Sequence, residues 1–304
     1  MSRIPAGTFR MGSDEHYPEE APARSVSVAE FWIDQLQVTT RQFAAFVADT
    51  GYVTVAERPL DPAQFPGAPP ENLVPGSLVF TMTPGPVDLL HLSQWWTWTP
   101  GASWKHPDGP ESSLAGREDE PVVHVALEDA ETYAAWACKA LPTEAEWERA
   151  ARGGLEGATY VWGEDPEAPG ERLANYWHGD FPWRYDDRYG RRQPTGSYPA
   201  NGFGLHDMAG NVWEWTSDWY AEGASEPRGP CCVPHDPRGG DLEGSYDPAQ
   251  PQVRIPRKVI KGGSYLCADT YCLRYRPAAR RPQMVDTGMS HIGFRCVKRA
   301  VPDG

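Results

Sequence analysis

The density of chain-breaking and aromatic residues constrains the fold of this chain more than any other feature of its sequence. Its 304 residues include 30 glycines, 31 prolines and 13 tryptophans. Glycine and proline interrupt helices and strands, while tryptophan rings fill irregular cores and need hydrogen-bond partners for their indole N–H groups. We therefore expect much ordered loop and little helix. Because neither a repeat nor a linker divides the sequence, we predict one domain over residues 1–304.

Few segments carry the periodicity of regular elements. Residues 38–52 and 141–154 each contain a capping-box pattern, apolar residues at helical spacing and a glycine stop signal, and each predicts a helix. Residues 122–125 predict a short strand that leads into a third helix, whose inward face would carry Ala130, Tyr133, Trp136 and Ala137. Residues 58–121 lack sustained periodicity, and their tryptophans predict a long, packed loop.

The charge and the amino terminus narrow the classes of partner. A formal net charge of −14 and a pI near 5.0 repel a phosphate backbone, so we expect no nucleic-acid partner. The opening residues MSRIPAGTFRMGS lack the apolar core of a signal peptide, and no apolar run is long enough to cross a bilayer. We expect a soluble, monomeric, cytoplasmic protein. In that reducing setting free thiols or metal ligands are favoured over disulfides for Cys138, Cys231, Cys232, Cys267, Cys272 and Cys296.

Residues 204–215, GLHDMAGNVWEW, allow two interpretations. Asp207 and Glu214 are carboxylates seven positions apart in a glycine-containing loop, and with backbone carbonyls they could surround a hard cation such as Ca²⁺. A turn that leads the Trp213 and Trp215 pair into a strand explains the same letters without a metal. From spacing alone the second interpretation is favoured.

Two thiols five positions apart, Cys267 and Cys272, are the most distinctive candidate site. The spacing matches neither a zinc ribbon nor a thioredoxin motif, and buried free cysteines or a disulfide would explain it. A pair of thiolates without histidine or carboxylate partners is instead a soft donor set that selects Cu(I). Two features of the setting favour this second interpretation. Gly262 and Gly263 permit close backbone approach, and four arginines could lower thiol pKa values or bind carboxylates: Arg274, Arg276, Arg280 and Arg281.

The remaining metal-binding residue types form no recognisable motif. The eight histidines show neither HxxxH nor HxH spacing, and we interpret each as a surface or structural residue. Cys231 and Cys232 with His235 would make a poor metal loop, because adjacent cysteines bridge poorly and one histidine does not complete a site.

Taken together, the motifs resemble the formylglycine-generating enzymes, also called sulfatase-modifying factors. The matching blocks occur in the family order: IPAGTFRMGS, RQFAAFVADTGYV, PVVHV, LPTEAEWERAARGG, GFGLHDMAGNVWEWTSDW, KGGSYLCADTYCLRYRPAAR and HIGFRC. The resemblance implies a single irregular α+β domain of low secondary-structure content, related to the C-type lectin fold. It also implies a reaction in which O₂ oxidises the cysteine of a Cys-x-Pro-x-Arg segment, in an unfolded sulfatase, to Cα-formylglycine.

The resemblance assigns roles to individual residues near the thiols. Cys267 and Cys272 match the pair that binds Cu(I), with the substrate cysteine as a third sulfur ligand. Ser264 and Trp213 match residues beside the oxygen pocket, and Tyr271 matches an active-site tyrosine. The family often has histidine directly after the first of these cysteines; this chain has Ala268 at that position.

Calcium sites are also implied by the resemblance. The first would use the side chains of Asp207 and Glu214 and the carbonyls of Gly210 and Val212. A second would comprise Asn175, the carbonyls of Tyr176 and Tyr189, and Asp187, which we prefer over the alternative Asp186 in a segment that is shortened relative to the family.

Two other functions compete with this one. Sulfoxide synthases of the ergothioneine type share the superfamily domain, but they need iron ligands from an added helical domain that has no counterpart here. A binding or regulatory module of lectin-like fold is the alternative outside enzymes. It would leave the two thiols without a role.

Overall fold

Regular elements cover a minor part of the chain. A computed structural model describes residues 1–64, 69–70, 73–168, 170–186, 191–222 and 233–299. Within these ranges the α-helices are α1 (Thr40–Thr50), α2 (Leu127–Trp136) and α3 (Glu144–Arg152). The strands are β1 (Ser2–Ile4), β2 (Gly7–Met11), β3 (Arg24–Val28), β4 (Phe31–Ile33), β5 (Gly76–Phe80), β6 (Trp96–Pro100), β7 (Trp213–Trp219), β8 (Arg257–Lys261), β9 (Arg280–Met284), β10 (Ile292–Gly293) and β11 (Val297–Arg299). This is the predicted irregular α+β domain.

A four-stranded sheet forms the frame of the molecule. Its order is β10-β7-β8-β9, with β10 parallel to β7 and the other pairs antiparallel. A three-stranded sheet, β1-β4-β11, and two hairpins, β2-β3 and β5-β6, complete the strand pairing of the described residues. The connection from β8 to β9 carries both candidate thiols, so the site lies at one end of the four-stranded sheet.

Two of the predicted helices are confirmed with their caps. Thr39 begins α1 with a reciprocal capping box to Gln42, and Gly51 ends it in the left-handed conformation. The helix α3 begins and ends in the same way, at Thr143 and Gly153. It buries Trp147 against the sheet.

The segment around α2 departs from its prediction in two places. The predicted strand at 122–125 is wrong, because the backbone at His124 adopts a φ of 58° and no ladder forms there. On α2, Ala130 and Tyr133 are buried as expected, whereas Trp136 is 39 % exposed. Its indole N–H donates to Asp49 at 2.7 Å, which keeps the ring at the surface.

The long tryptophan-rich loop is only partly irregular. Strands β5 and β6 lie within it as an antiparallel hairpin, which the sequence did not reveal because Pro and Gly flank both strands. Trp95 and Trp104 are buried, as the packed-loop prediction requires. Within the described ranges, no helix has the length and apolar character needed to span a membrane.

Candidate active site

Cys267 and Cys272 come together in the structure. Their Sγ atoms lie 3.2 Å apart, both residues are buried, and both are free thiols. The separation is a hydrogen-bond contact between sulfurs, well beyond the length of about 2.05 Å for a disulfide. The predicted pair is therefore one site.

Backbone geometry on both sides of the first cysteine sets this separation. Gly262 and Gly263 follow β8 with φ angles of 93° and 71°, and a Cβ at Gly263 would meet the Cα of Tyr275 at 2.8 Å. Two turns follow: the amide of Cys267 donates to the carbonyl of Ser264 at 3.0 Å, and that of Cys272 to Ala268 at 2.7 Å. The expectation of a close backbone approach at these glycines is confirmed.

A small cavity of about 30 Å³ opens beside the sulfurs. The three residues that the resemblance assigned to the active site, Ser264, Trp213 and Tyr271, all line it. Tyr271 stacks on Phe181 at 4.6 Å between ring centroids, which fixes one wall. The other lining residues are Leu92, Trp95, Trp96, Leu266, Arg281 and His291. Its walls are thus largely aromatic, with a few polar groups at the sulfurs.

The two thiols differ in their tendency to ionise. The hydrogen bond from Cys267 lowers the pKa of Cys272 to about 6, and the positive charges of Arg281 and Arg274 act in the same direction against the effect of burial. Burial raises the pKa of Cys267 well above its ordinary value, and its contact with Cys272 raises it further. The contact between the two thiols therefore favours a state in which Cys272 is the thiolate and Cys267 the thiol.

The arginines near the thiols divide into two groups. Arg274 pairs with Glu19 at 2.6 Å, and Arg276 and Arg280 bind Glu20 and Glu144. For Arg281 no ion pair is found among the described residues. It lines the cavity, and its positive charge lowers the pKa of Cys272.

Replacement of Arg281 by glutamine tests this electrostatic role. Loss of the positive charge destabilises the thiolate, so we expect the pKa of Cys272 to rise by about 1. Ultraviolet absorbance of the thiolate, followed against pH in the metal-free reduced protein, measures the change. Arg281→Lys keeps the charge and serves as the control; an unchanged titration in Arg281→Gln would contradict the assignment.

The thiol pair fits the ion that the resemblance implies. Two sulfurs in contact, buried and beside open space, are the soft and low-coordination donor set that suits Cu(I). Across the described ranges no group of three His, Cys, Asp or Glu side chains is placed to hold a metal.

The first implied calcium site fits in part. Asp207 is buried, with a φ of 56°, and its Oδ1 has no hydrogen-bond partner. Glu214 lies on β7 and accepts from Trp147 at 2.7 Å, from Gln37 at 3.0 Å and twice from Arg295 at 2.7 and 2.8 Å. The vacant oxygen of Asp207 suits a cation, while both oxygens of Glu214 are already used.

Of the side chains implied for the second calcium site, the structure describes that of Asn175 in detail. Asn175 is fully buried, and its Oδ1 lacks a partner although its Nδ2 donates to Arg191 and Asn211. Asp187 and Tyr189 lie outside the described residues, as do Cys231 and Cys232.

Sequence reasoning found one of the two polar residues Arg281 and His291 and missed the other. Arg281 was one of four arginines expected to lower thiol pKa values or bind carboxylates, and it does lower the pKa of Cys272, whereas His291 was interpreted as surface or structural. Of these two alternatives the surface position is excluded, because His291 is 4 % exposed and shares the cavity with both thiols. The only sequence signal for His291 was its place in the HIGFRC block of the family. Spacing within that block does not reveal that His291 lies close to the loop that carries Cys267 and Cys272, some twenty residues earlier.

The irregular α+β fold and the paired thiols define a class of protein. The chain belongs to the sulfatase-modifying factor family: the family described as "Sulfatase-modifying factor enzyme 1-like domain" matches residues 1–300. The formylglycine-generating enzyme of Mycobacterium tuberculosis is 52 % identical over 298 residues, which cover 97 % of this chain and 96 % of that protein. The formylglycine-generating enzyme of Thermomonospora curvata is 44 % identical over 97 % of this chain and 92 % of its own length.

A third relative shows that membership alone does not decide activity. The inactive Cα-formylglycine-generating enzyme 2 of Mus musculus is 33 % identical over 99 % of this chain and 86 % of its own length. Among solved structures, PvdO from Pseudomonas aeruginosa has a TM-score of 0.66 at 22 % identity, covering 98 % of this chain and 93 % of that chain. That likeness confirms the fold.

Proposed function

We propose that this chain is a copper-dependent oxidase that converts the cysteine of a Cys-x-Pro-x-Arg segment in an unfolded sulfatase to Cα-formylglycine. The observation that carries the proposal is the contact of 3.2 Å between the Sγ atoms of Cys267 and Cys272 beside a cavity. Family membership and the named relatives support the formylglycine product. The soft donor pair supports Cu(I). We propose that the protein acts as a monomer in a reducing compartment such as the cytoplasm, where the two thiols would stay unoxidised.

The reaction balances with dioxygen and an external thiol reductant. The substrate CH₂–SH group, one O₂, two electrons and two protons give CHO, H₂S and H₂O, and two reductant thiols supply the electrons and protons as they form a disulfide. Bound Cu(I) would supply the one-electron chemistry that O₂ requires. Cys267 and Cys272 would hold the ion, and the substrate sulfur would be the third ligand.

The walls of the cavity have separate tasks in this proposal. The aromatic rings of Trp213 and Tyr271 exclude water, which favours reaction of the substrate with O₂ over side reactions. Ser264 is fully buried; its Oγ accepts from the amide of Leu266 at 3.2 Å, and this bond fixes the hydroxyl group at the cavity edge.

A lectin-like binding module remains the second candidate, favoured only by the inactive relatives. It gives no reason for two thiols to be held in contact, or for the pKa of Cys272 to be lowered by the hydrogen bond from Cys267 and by nearby arginine charges. Those features are properties of a reactive site.

Mass spectrometry of a synthetic peptide tests the proposal. The copper-loaded protein, in air and with a thiol reductant, is expected to convert a Cys-x-Pro-x-Arg peptide from CH₂SH to CHO, whereas the same peptide with serine in place of cysteine stays unchanged. An unmodified cysteine peptide under copper-replete conditions would reject the oxidase function and favour the binding module.

We also propose that Ca²⁺ binds at Asp207 and at Asn175. Each side chain presents a buried oxygen without a partner, and burial raises the pKa of Asp207, a penalty that a bound cation would remove. The carbonyls of Gly210, Val212 and Tyr176 are the further ligands that the family suggests. Thermal unfolding with Ca²⁺ and with a chelator measures the effect; identical melting temperatures would reject both sites.

A further inference from the structure

His291 is a buried imidazole in the cavity without an assigned role. It directly precedes β10, and its carbonyl accepts from the amide of Trp213 at 2.9 Å, which fixes its backbone beside β7. Its ring lies 4.6 Å from the ring of Trp96 between centroids. Backbone and ring are therefore both held in place, in a residue that lines the same cavity as the thiols.

One nitrogen of this ring is unsatisfied. Nδ1 is buried and has no hydrogen-bond partner. A buried polar atom in that state costs about 1–3 kcal/mol, so natural structures rarely keep one without a reason. His291 lines the cavity that both thiols line, and a guest bound there is the partner that we expect Nδ1 to gain.

The ring is also held neutral. Burial lowers the pKa of His291 well below its ordinary value, and the charges of Arg281, His124 and Arg192 lower it further. A neutral imidazole nitrogen can accept a hydrogen bond from a thiol, or donate one to a thiolate in its other tautomer. It can therefore bind a guest sulfur in either protonation state.

The other polar groups of the cavity differ in what they can offer such a guest. Arg281 has only donors, and the Ser264 hydroxyl accepts from the amide of Leu266 and can still donate its own proton. Cys267 and Cys272 are the proposed metal ligands. Nδ1 of His291 is thus a vacant site, able to donate or accept, that is not needed to hold the ion.

We propose that Nδ1 of His291 forms a hydrogen bond with the sulfur of the substrate cysteine and so positions it beside the thiol pair. This inference rests on the proposed oxidase function, because it requires a cysteine peptide as the guest. It assigns His291 to substrate binding, with no part in holding the metal.

Two substitutions separate the hydrogen bond from a structural role. In His291→Asn the side-chain amide occupies the place of Nδ1 and keeps a hydrogen-bonding group there. His291→Leu fills a similar volume without one. Binding is measured on the copper-loaded protein without O₂, by quenching of tryptophan fluorescence, with peptides that carry Cys or Ala at the reacting position.

His291→Leu is expected to weaken binding of the Cys peptide by roughly ten-fold and to leave the Ala peptide unaffected, as one lost hydrogen bond predicts. His291→Asn should keep most of the affinity, and both variants should still take up one Cu(I). Equal losses for the two peptides, or an Asn variant as weak as the Leu variant, would overturn the role of Nδ1. A wild-type protein that binds both peptides equally would instead reject the oxidase function together with this inference.

Discussion

Replacement of either Cys267 or Cys272 by serine is expected to abolish both Cu(I) binding and peptide conversion. Each sulfur alone is one soft ligand, and a serine hydroxyl of similar size is a hard donor that holds Cu(I) poorly. Because the two Sγ atoms lie 3.2 Å apart, the loss of one removes the shared site rather than half of it. Titration of the reduced protein with Cu(I) against a competing chelator measures the effect.

Cys138→Ser is the matched control for this experiment. Cys138 is also a free thiol, but it is exposed at the end of α2 and away from the cavity. Its replacement should leave one tightly bound Cu(I) and full conversion. Copper retained at wild-type affinity in both Cys267→Ser and Cys272→Ser would exclude the pair as the metal site.

The second large effect is expected on stability, from Arg295→Met. Arg295 and Glu214 form a fully buried ion pair with two hydrogen bonds, next to the site but outside its cavity. Removal of the guanidinium leaves a buried carboxylate with donors only from Trp147 and Gln37. Loss of one partner from such a pair costs about 3–5 kcal/mol of the free energy of unfolding.

Urea denaturation measures this loss, and Arg41→Met provides the comparison. Arg41 pairs with Asp119 at 3.1 Å, and both side chains are more than 60 % exposed, so its removal should change stability far less. Similar midpoints for Arg295→Met and the wild-type protein would show that Glu214 is not dependent on Arg295.

The parts of the fold that the sequence predicted are those with local causes. The helices α1 and α3 follow from capping boxes and glycine stops, which act within a few residues. The hairpin of β5 and β6 was missed because its pairing depends on partners twenty residues apart. Trp136 was misplaced for a related reason, since its indole N–H donates a hydrogen bond to Asp49 on α1, a residue distant in sequence.

The site divides in the same way. Cys267 and Cys272 lie in one loop, so motif and spacing revealed them together. Arg281 and His291 line the cavity because β9 and β10 approach that loop in the fold. Sequence spacing does not predict this approach. Glu214 is the opposite case. Its sequence context resembles a calcium-binding loop, but both of its carboxylate oxygens accept hydrogen bonds from Arg295, which is distant in sequence.

The fixed gap between the sulfurs bears on which metals the protein can discriminate. Backbone turns set the position of both side chains before any ion arrives, so little conformational entropy is lost on metal entry. A structural zinc site takes four ligands in a tetrahedron, and among the described residues no third His, Cys, Asp or Glu side chain is placed to hold an ion together with the pair. If the pair binds Cu(I) as proposed, we expect this fixed two-sulfur geometry to favour that ion over Zn²⁺.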